Sequence, residues 1–203
     1  DISAFKKAAE QLLVGFRNYQ VQPEYNVEVK PMYAEENLVY EIPGVEIYST
    51  QNYGYNTTWN YGYKNAWIRQ GPVLYPLPQG MDLNWLNNYH SIIITVPIGS
   101  VGVATSREAL SVDEETKELI AKLVQDAKDK VTKEVEDKLK DCKTYIEACK
   151  LFFKNYGFVN LSPSYDGKKV VSYITGKIDG IDLADQPGNQ ILPFYVNVHC
   201  TNH

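Results

Sequence analysis

Residue types able to do chemistry are sparse and scattered in this sequence. His199, Cys200 and His203, in "HCTNH", are metal ligands by type and lie close together. They fall at the chain's last residues, and no second ligand pair is near them, so a zinc-type site is not expected. Asp179, Asp182 and Asp185, in "DGIDLADQPGN", are spaced by three. A calcium loop of the EF-hand type wants acids at alternate positions, a central Gly and a distal Glu. The pattern reads instead as turn chemistry. Glu41, Glu46 and Asp82 would have to converge in space to act as a carboxylate pair on a glycosidic bond. No Gly-rich phosphate loop, nucleophile elbow or paired-Cys ligand motif is present. The expectation is therefore no catalytic residue, no metal and no cofactor, with the balance against an enzyme.

What the chain does concentrate is aromatic rings. The stretch "NYGYNTTWNYGYKNAW", residues 52–67, says Asn-Tyr-Gly-Tyr, three residues, Trp, twice over. Tyr53, Tyr55, Trp59, Tyr61, Tyr63 and Trp67 all stand at odd positions. A three-residue loop at Asn56-Thr57-Thr58 would set Tyr55 opposite Trp59 and Tyr53 opposite Tyr61, with Ile47 reaching Trp67, so that all rings share one face of a hairpin. Rigid rings with Asn52, Asn60 and Asn65 beside them are what recognition surfaces use. Flat rings stack on sugar C–H faces while amides meet hydroxyls. The competing structural reading is that this face packs inside the protein, although each buried Tyr hydroxyl then needs a partner.

Charge narrows the partners. The formal net charge is −5 and the only arginines are Arg17, Arg69 and Arg107, so no basic stripe for nucleic acid exists. No apolar run reaches the 18 residues of a membrane-spanning helix. The chain opens "DISAFKK" without Met, as after a cleaved leader or at a start within a longer chain. Asn56-Thr57-Thr58 and Asn160-Leu161-Ser162 are glycosylation sequons at expected turns. Cys142, Cys149 and Cys200 are odd in number. Either all three are buried thiols, or Cys200 bridges to Cys142 or Cys149, since those two are too far apart on one helix to join each other.

The positioning elements follow from periodicity. "SAFKKAAEQLLVGFRNYQ" reads as an amphipathic helix of four or five turns, stopped before Pro23, with Phe5, Ala9, Leu12, Leu13 and Phe16 inward. "NVEVK", "NLVYEI" and "VEIYSTQ" alternate like strands. "SIIITV" does not alternate and reads as a strand buried on both faces. Residues 112–156 read as one long charged helix, opened by a Ser111/Glu114 capping box and closed at Gly157. Its apolar stripe runs Ile120, Val124, Ala127, Val131, Val135, Leu139, Cys142, Ile146, Cys149, Phe153, and Thr132 is where a kink or break would fall. Five i,i+4 charge pairs line it: Glu118–Lys122, Asp126–Lys130, Asp129–Lys133, Glu134–Lys138 and Glu136–Lys140. "KVVSYITGKI" and "ILPFYVNVHC" read as closing strands.

These features predict a single α+β domain over residues 1–203 with a mainly antiparallel sheet. The expected function is a secreted, non-enzymatic protein that binds a glycan or other small ring-bearing ligand on its aromatic face. The alternatives are an assembling virion or surface-layer protein, with that face buried between copies of itself, and a membrane-active toxin. The toxin reading would use residues 83–106, which carry no formal charge.

Overall fold

The computed structural model describes residues 2–50, 66–107, 109–111, 113–170, 177–178 and 181–182. The chain divides into two compact units, residues 1–127 and 128–203. The class is α+β, with an N-terminal helix, a five-stranded sheet and a long helix.

In the first unit, helix α1 (Ile2–Gly15) precedes strands β1 (Leu38–Ile42), β2 (Val45–Ser49), β3 (Ala66–Gln70), β4 (Val73–Pro76) and β5 (His90–Val96). Their order is β1-β2-β5-β3-β4. Three ladders are antiparallel and one, β3 with β5, is parallel, so the sheet is mixed. The triple-isoleucine strand β5 is central, as its lack of alternation predicts: Ile92, Ile93 and Ile94 are all buried, on both faces. Each contributes on the order of 2 kcal/mol by leaving water. "NVEVK" forms no strand. Its Val27 is 40% exposed, and alternation over five residues cannot make a strand without an edge to pair with.

Register fixes the faces. Glu46, Ile93 and Trp67 lie side by side, as do Tyr48 with Ser91 and Arg69 with Thr95. Helix α1 packs on this face: Val14 joins Tyr33, Tyr48, Trp67, Leu74 and Ile93 in one apolar cluster, and Gln11 Nε2 donates to the Leu74 carbonyl at 2.9 Å. The helix ends at Gly15, well short of Pro23, because the backbone there meets the β3–β4 turn. A Cβ on Gly15 would sit 1.9 Å from the Pro72 carbonyl oxygen. The inward face also differs from the expected one. Ala9 and Val14 are buried, while Phe5 and Leu12 stay largely exposed.

Helix α2 (Glu114–Leu139) crosses from the first unit into the second, and α3 (Tyr145–Asn155) follows. The expected single helix over 112–156 is thus two. The break lies at residues 140–144, not near Thr132, whose hydroxyl donates to the Lys128 carbonyl within an unbroken helix. Thr144 causes the restart. Its side chain accepts from the Glu147 N–H, and the Glu147 carboxylate accepts from the Lys143 N–H at 2.8 Å, a capping-box arrangement. Upstream of the break the apolar stripe holds, with Ile120, Val124, Ala127, Val131, Val135 and Leu139 all buried. Downstream its phase resets, and Tyr145, Ala148, Cys149 and Phe152 are buried instead of Ile146 and Phe153. At the start of α2 the cap is Asp113, not Ser111. Asp113 accepts from the Thr116 N–H at 2.8 Å and from the Ser111 hydroxyl.

The second unit adds the hairpin β6 (Ser164–Tyr165) and β7 (Lys168–Lys169), and the short pair β8 (Lys177–Ile178) and β9 (Ile181–Asp182). The latter pair falls at the end of "KVVSYITGKI" and just beyond it. "ILPFYVNVHC" lies outside the described residues.

Candidate functional site

Residues 51–65 stand in the sequence between β2 and β3, and the described residues on either side are Thr50 and Ala66. Both flanks are anchored. The Thr50 N–H donates to the Tyr89 carbonyl at 2.8 Å, and the Ala66 carbonyl accepts from the Leu77 N–H at 2.9 Å. Tyr53, Tyr55, Trp59, Tyr61, Tyr63, Asn52, Asn60, Asn65 and the sequon Asn56 lie outside the described residues. Trp67 is described, and it does not belong to an open face. It is 7% exposed, and its indole N–H donates to the Tyr33 hydroxyl at 2.9 Å. The Tyr33 ring in turn stacks on Tyr48, centroids 5.0 Å apart. The expected opposition of Ile47 and Trp67 fails for a topological reason: β5 lies between their strands, and Ile47 faces Ile92.

Beneath this root lies a buried polar network that the sequence reading passed over. Glu46 and Arg69 are 4% and 2% exposed. The guanidinium makes a two-armed bond to the carboxylate, Nη1 to Oε1 and Nη2 to Oε2, the latter at 3.0 Å. Nη2 also donates to the Val14 carbonyl at 3.0 Å, one of the last carbonyls of α1, which accepts as well from the Arg17 N–H at 3.3 Å. A cation at that helix end also complements the helix dipole. Thr95 accepts from Nη1 at 3.2 Å, and the Tyr48 hydroxyl donates to Glu46 at 2.8 Å. On the outer side Arg17 reaches Glu35 at 2.8 Å, Glu41 at 3.0 Å and Glu46 at 3.3 Å.

Two of the three suspected carboxylates, Glu41 and Glu46, therefore do converge, on Arg17. Their chemistry is nevertheless wrong for acid catalysis. Burial pushes the Glu46 carboxyl up, but the bond and charge of Arg69, with Tyr48 and Arg17 added, bring it below the usual carboxylate range. A general acid at neutral pH needs the opposite shift. Arg17 is raised by its bond to Glu35, and the Tyr48 phenol by burial and by Glu46, so Glu46 and Arg17 stay ionised beside a neutral phenol. It is a structural clamp. Asp82 stands apart and accepts from the Asn84 N–H at 3.0 Å in a local turn. A lone Arg in "AWIRQ" and a lone Glu in "VEIY" were the available signals, since a charge inside a buried strand demands a partner.

His90, the first residue of β5, is pushed down to about 4 by burial, so it is neutral at physiological pH. Among the described residues no group of three His, Cys, Asp or Glu side chains is placed to hold a metal. His199, His203, Asp179 and Asp185 lie outside them, as does the side chain of Asp182. Cys142 and Cys149 are both buried, while Cys200, and with it the expected bridge to either, lies outside the described residues. Cys142 packs in the α2–α3 turn and Cys149 on the inward face of α3, where each acts as a small apolar residue. Asn160 is exposed. No helix among the described residues is long and apolar enough to cross a membrane. Searches against known protein families, curated proteins and solved structures found no match to this chain.

Proposed function

We propose that this chain is a secreted, non-enzymatic recognition protein that takes a glycan or similar ring-bearing ligand on Tyr53, Tyr55, Trp59, Tyr61 and Tyr63. Asn52, Asn60 and Asn65 supply hydrogen bonds at the edge. Trp67 moves from the ligand face to the root. One observation carries the reading: a doubled Asn-Tyr-Gly-Tyr-x3-Trp sequence is mounted between two strands of a deeply buried sheet, tied at Thr50 and at Trp67. Anchored flanks reduce the ordering cost that a segment between them meets on binding, which favours this reading. The sequons at Asn56 and exposed Asn160 support secretion, and both asparagines are proposed glycan carriers.

The chain has three tryptophans, and Trp67 and Trp85 are buried at 7% and 3% exposure. A sugar that alters tryptophan emission therefore does so through Trp59. Titration with an oligosaccharide panel should give a saturable change that Trp59→Phe removes. No response across the panel, or a response that survives in the variant, defeats the proposal. Assembly through the same face would show instead as a mass that rises with concentration. The membrane-active reading is the weaker alternative, because residues 83–96 include the central strand and buried Leu83, Trp85 and Leu86, whose release would dismantle the sheet.

A further inference from the structure

The geometry points to a separate binding site in residues 128–203, a cleft between the α2–α3 turn and the β6–β7 hairpin that holds one oxyanion group of a hydroxylated ligand. The cleft measures about 130 Å³ and is lined by Lys143, Thr144, Tyr145, Tyr165, Asp166 and Lys168. That is room for a sulfate, phosphate or carboxylate and part of its carrier, well below the space a drug-sized ligand needs.

Its walls are pinned to each other. The Tyr145 hydroxyl, on α3, donates to the Lys169 carbonyl of the hairpin at 2.6 Å. The Tyr165 hydroxyl, on the hairpin, donates to the Cys142 carbonyl of the turn at 2.7 Å. Each tyrosine thus ties one wall to the other. Asp166 and Gly167, at φ +48° and +72°, close the hairpin in the left-handed pair that an Asp-Gly turn favours, which sets Tyr165 opposite Lys168. The Lys168 ammonium stands 5.9 Å from the centre of the Tyr145 ring, a cation–π contact that holds it at the cleft.

The charges available to a ligand are the two lysines. Among the described residues Lys143 and Lys168 make no ion pair, whereas nearby Lys138 and Lys140 are matched to Glu134 and Asp137. The start of α3 is already capped by the protein itself: the Thr144 hydroxyl accepts from the Glu147 N–H, and the Glu147 carboxylate accepts from the Lys143 N–H just ahead of the helix. Asp166 opposes a bare anion but accepts from hydroxyls. The lining therefore favours an anion carried on a hydroxylated ring, as in a sulfated or uronic sugar, over an inorganic ion. The surrounding unit repels anions least: residues 128–203 carry 11 Lys and 10 acidic residues, against 9 basic and 15 acidic in residues 1–127.

The test is an amide NMR titration of the whole chain with sodium sulfate and with a sulfated disaccharide, at constant ionic strength. Saturable shifts at residues 143–145 and 165–168 are expected, in the millimolar range, with a Kd about tenfold weaker in Lys143→Met/Lys168→Met. Asp166→Asn, tolerated at positive φ, should strengthen inorganic sulfate and narrow the sugar's advantage. A sugar advantage assigns the anion to a carbohydrate, and equal affinities assign it to a free ion; either supports the cleft. Shifts that do not saturate, or that keep the parent Kd in the double lysine variant, overturn it. Variants at Tyr53, Tyr55 or Trp59 should leave these shifts unchanged, so this site and the aromatic face fail or stand separately.

Discussion

Glu46–Arg69 and Glu134–Lys138 both pair a carboxylate with a cation, in opposite settings. The first lies inside the sheet face, almost wholly buried, with every arm of the carboxylate bonded. The second lies on the surface of α2 at 3.9 Å, with Glu134 44% and Lys138 60% exposed. Water screens the surface pair and entropy opposes it, so it contributes little. The buried pair is costly to assemble, yet removing one partner strands a charge in the interior. Burial, not the count of opposite charges, decides which pair holds the molecule together.

The largest effect should come from breaking the buried pair. Arg69→Met alone should cost about 3–5 kcal/mol in urea unfolding, while Arg69→Met with Glu46→Leu should recover much of that loss. If the single substitution costs under about 1 kcal/mol, the pair is not the clamp described. Acid sharpens the same contrast in two windows. His90, held neutral at about 4 in the fold, contributes stability that is intact above its ordinary 6.5 and declines as pH falls from 6.5 towards 4. Glu46, depressed in the fold, contributes stability that begins to fall only below its ordinary value of 4.5. Thermal melts of His90→Gln should flatten between pH 6.5 and 4.5 and keep the loss below that. A parent-like slope in the upper window would remove His90 as its source.

Smaller effects test the helix break and the surface. Thr144→Ala should cost about 1 kcal/mol by uncapping α3, and Thr144→Asp should restore it. Lys138→Ala should change stability by less than about 0.5 kcal/mol. A loss near that of Arg69→Met would erase the distinction between the two settings.

What was legible in the residues is what local periodicity encodes. The isoleucine run announced a central strand, and the stripe from Ile120 announced α2 and its start to within two residues, but ran on to 156 past its end at Leu139. Thr144-x-x-Glu147 is a capping box that marks the break, but the stripe's arithmetic runs through Cys142 without a visible fault and hides it. Of the five expected pairs on α2, Glu134–Lys138 forms, while Lys140 turns to Asp137 at three residues instead of to Glu136. Long lysines choose among several carboxylates at nearly equal energy. Strand order is not local at all. That β5 inserts between β2 and β3 decides that Trp67 is core and that Ile47 never meets it, and no spacing along residues 45–67 carries that information. The same insertion brings Glu46 to Arg69 across β5. Tyr53, Tyr55, Trp59, Tyr61 and Tyr63 lie outside the described residues.

The most direct test of the proposed recognition function is iodide quenching of tryptophan emission, with and without a bound oligosaccharide. With Trp67 and Trp85 sealed, quenching of the free chain should be confined to one-third of the tryptophans, vanish in Trp59→Phe, and be protected by ligand. Emission that iodide cannot reach in the monomeric free chain would place Trp59 in the interior as well and contradict a ligand-binding face.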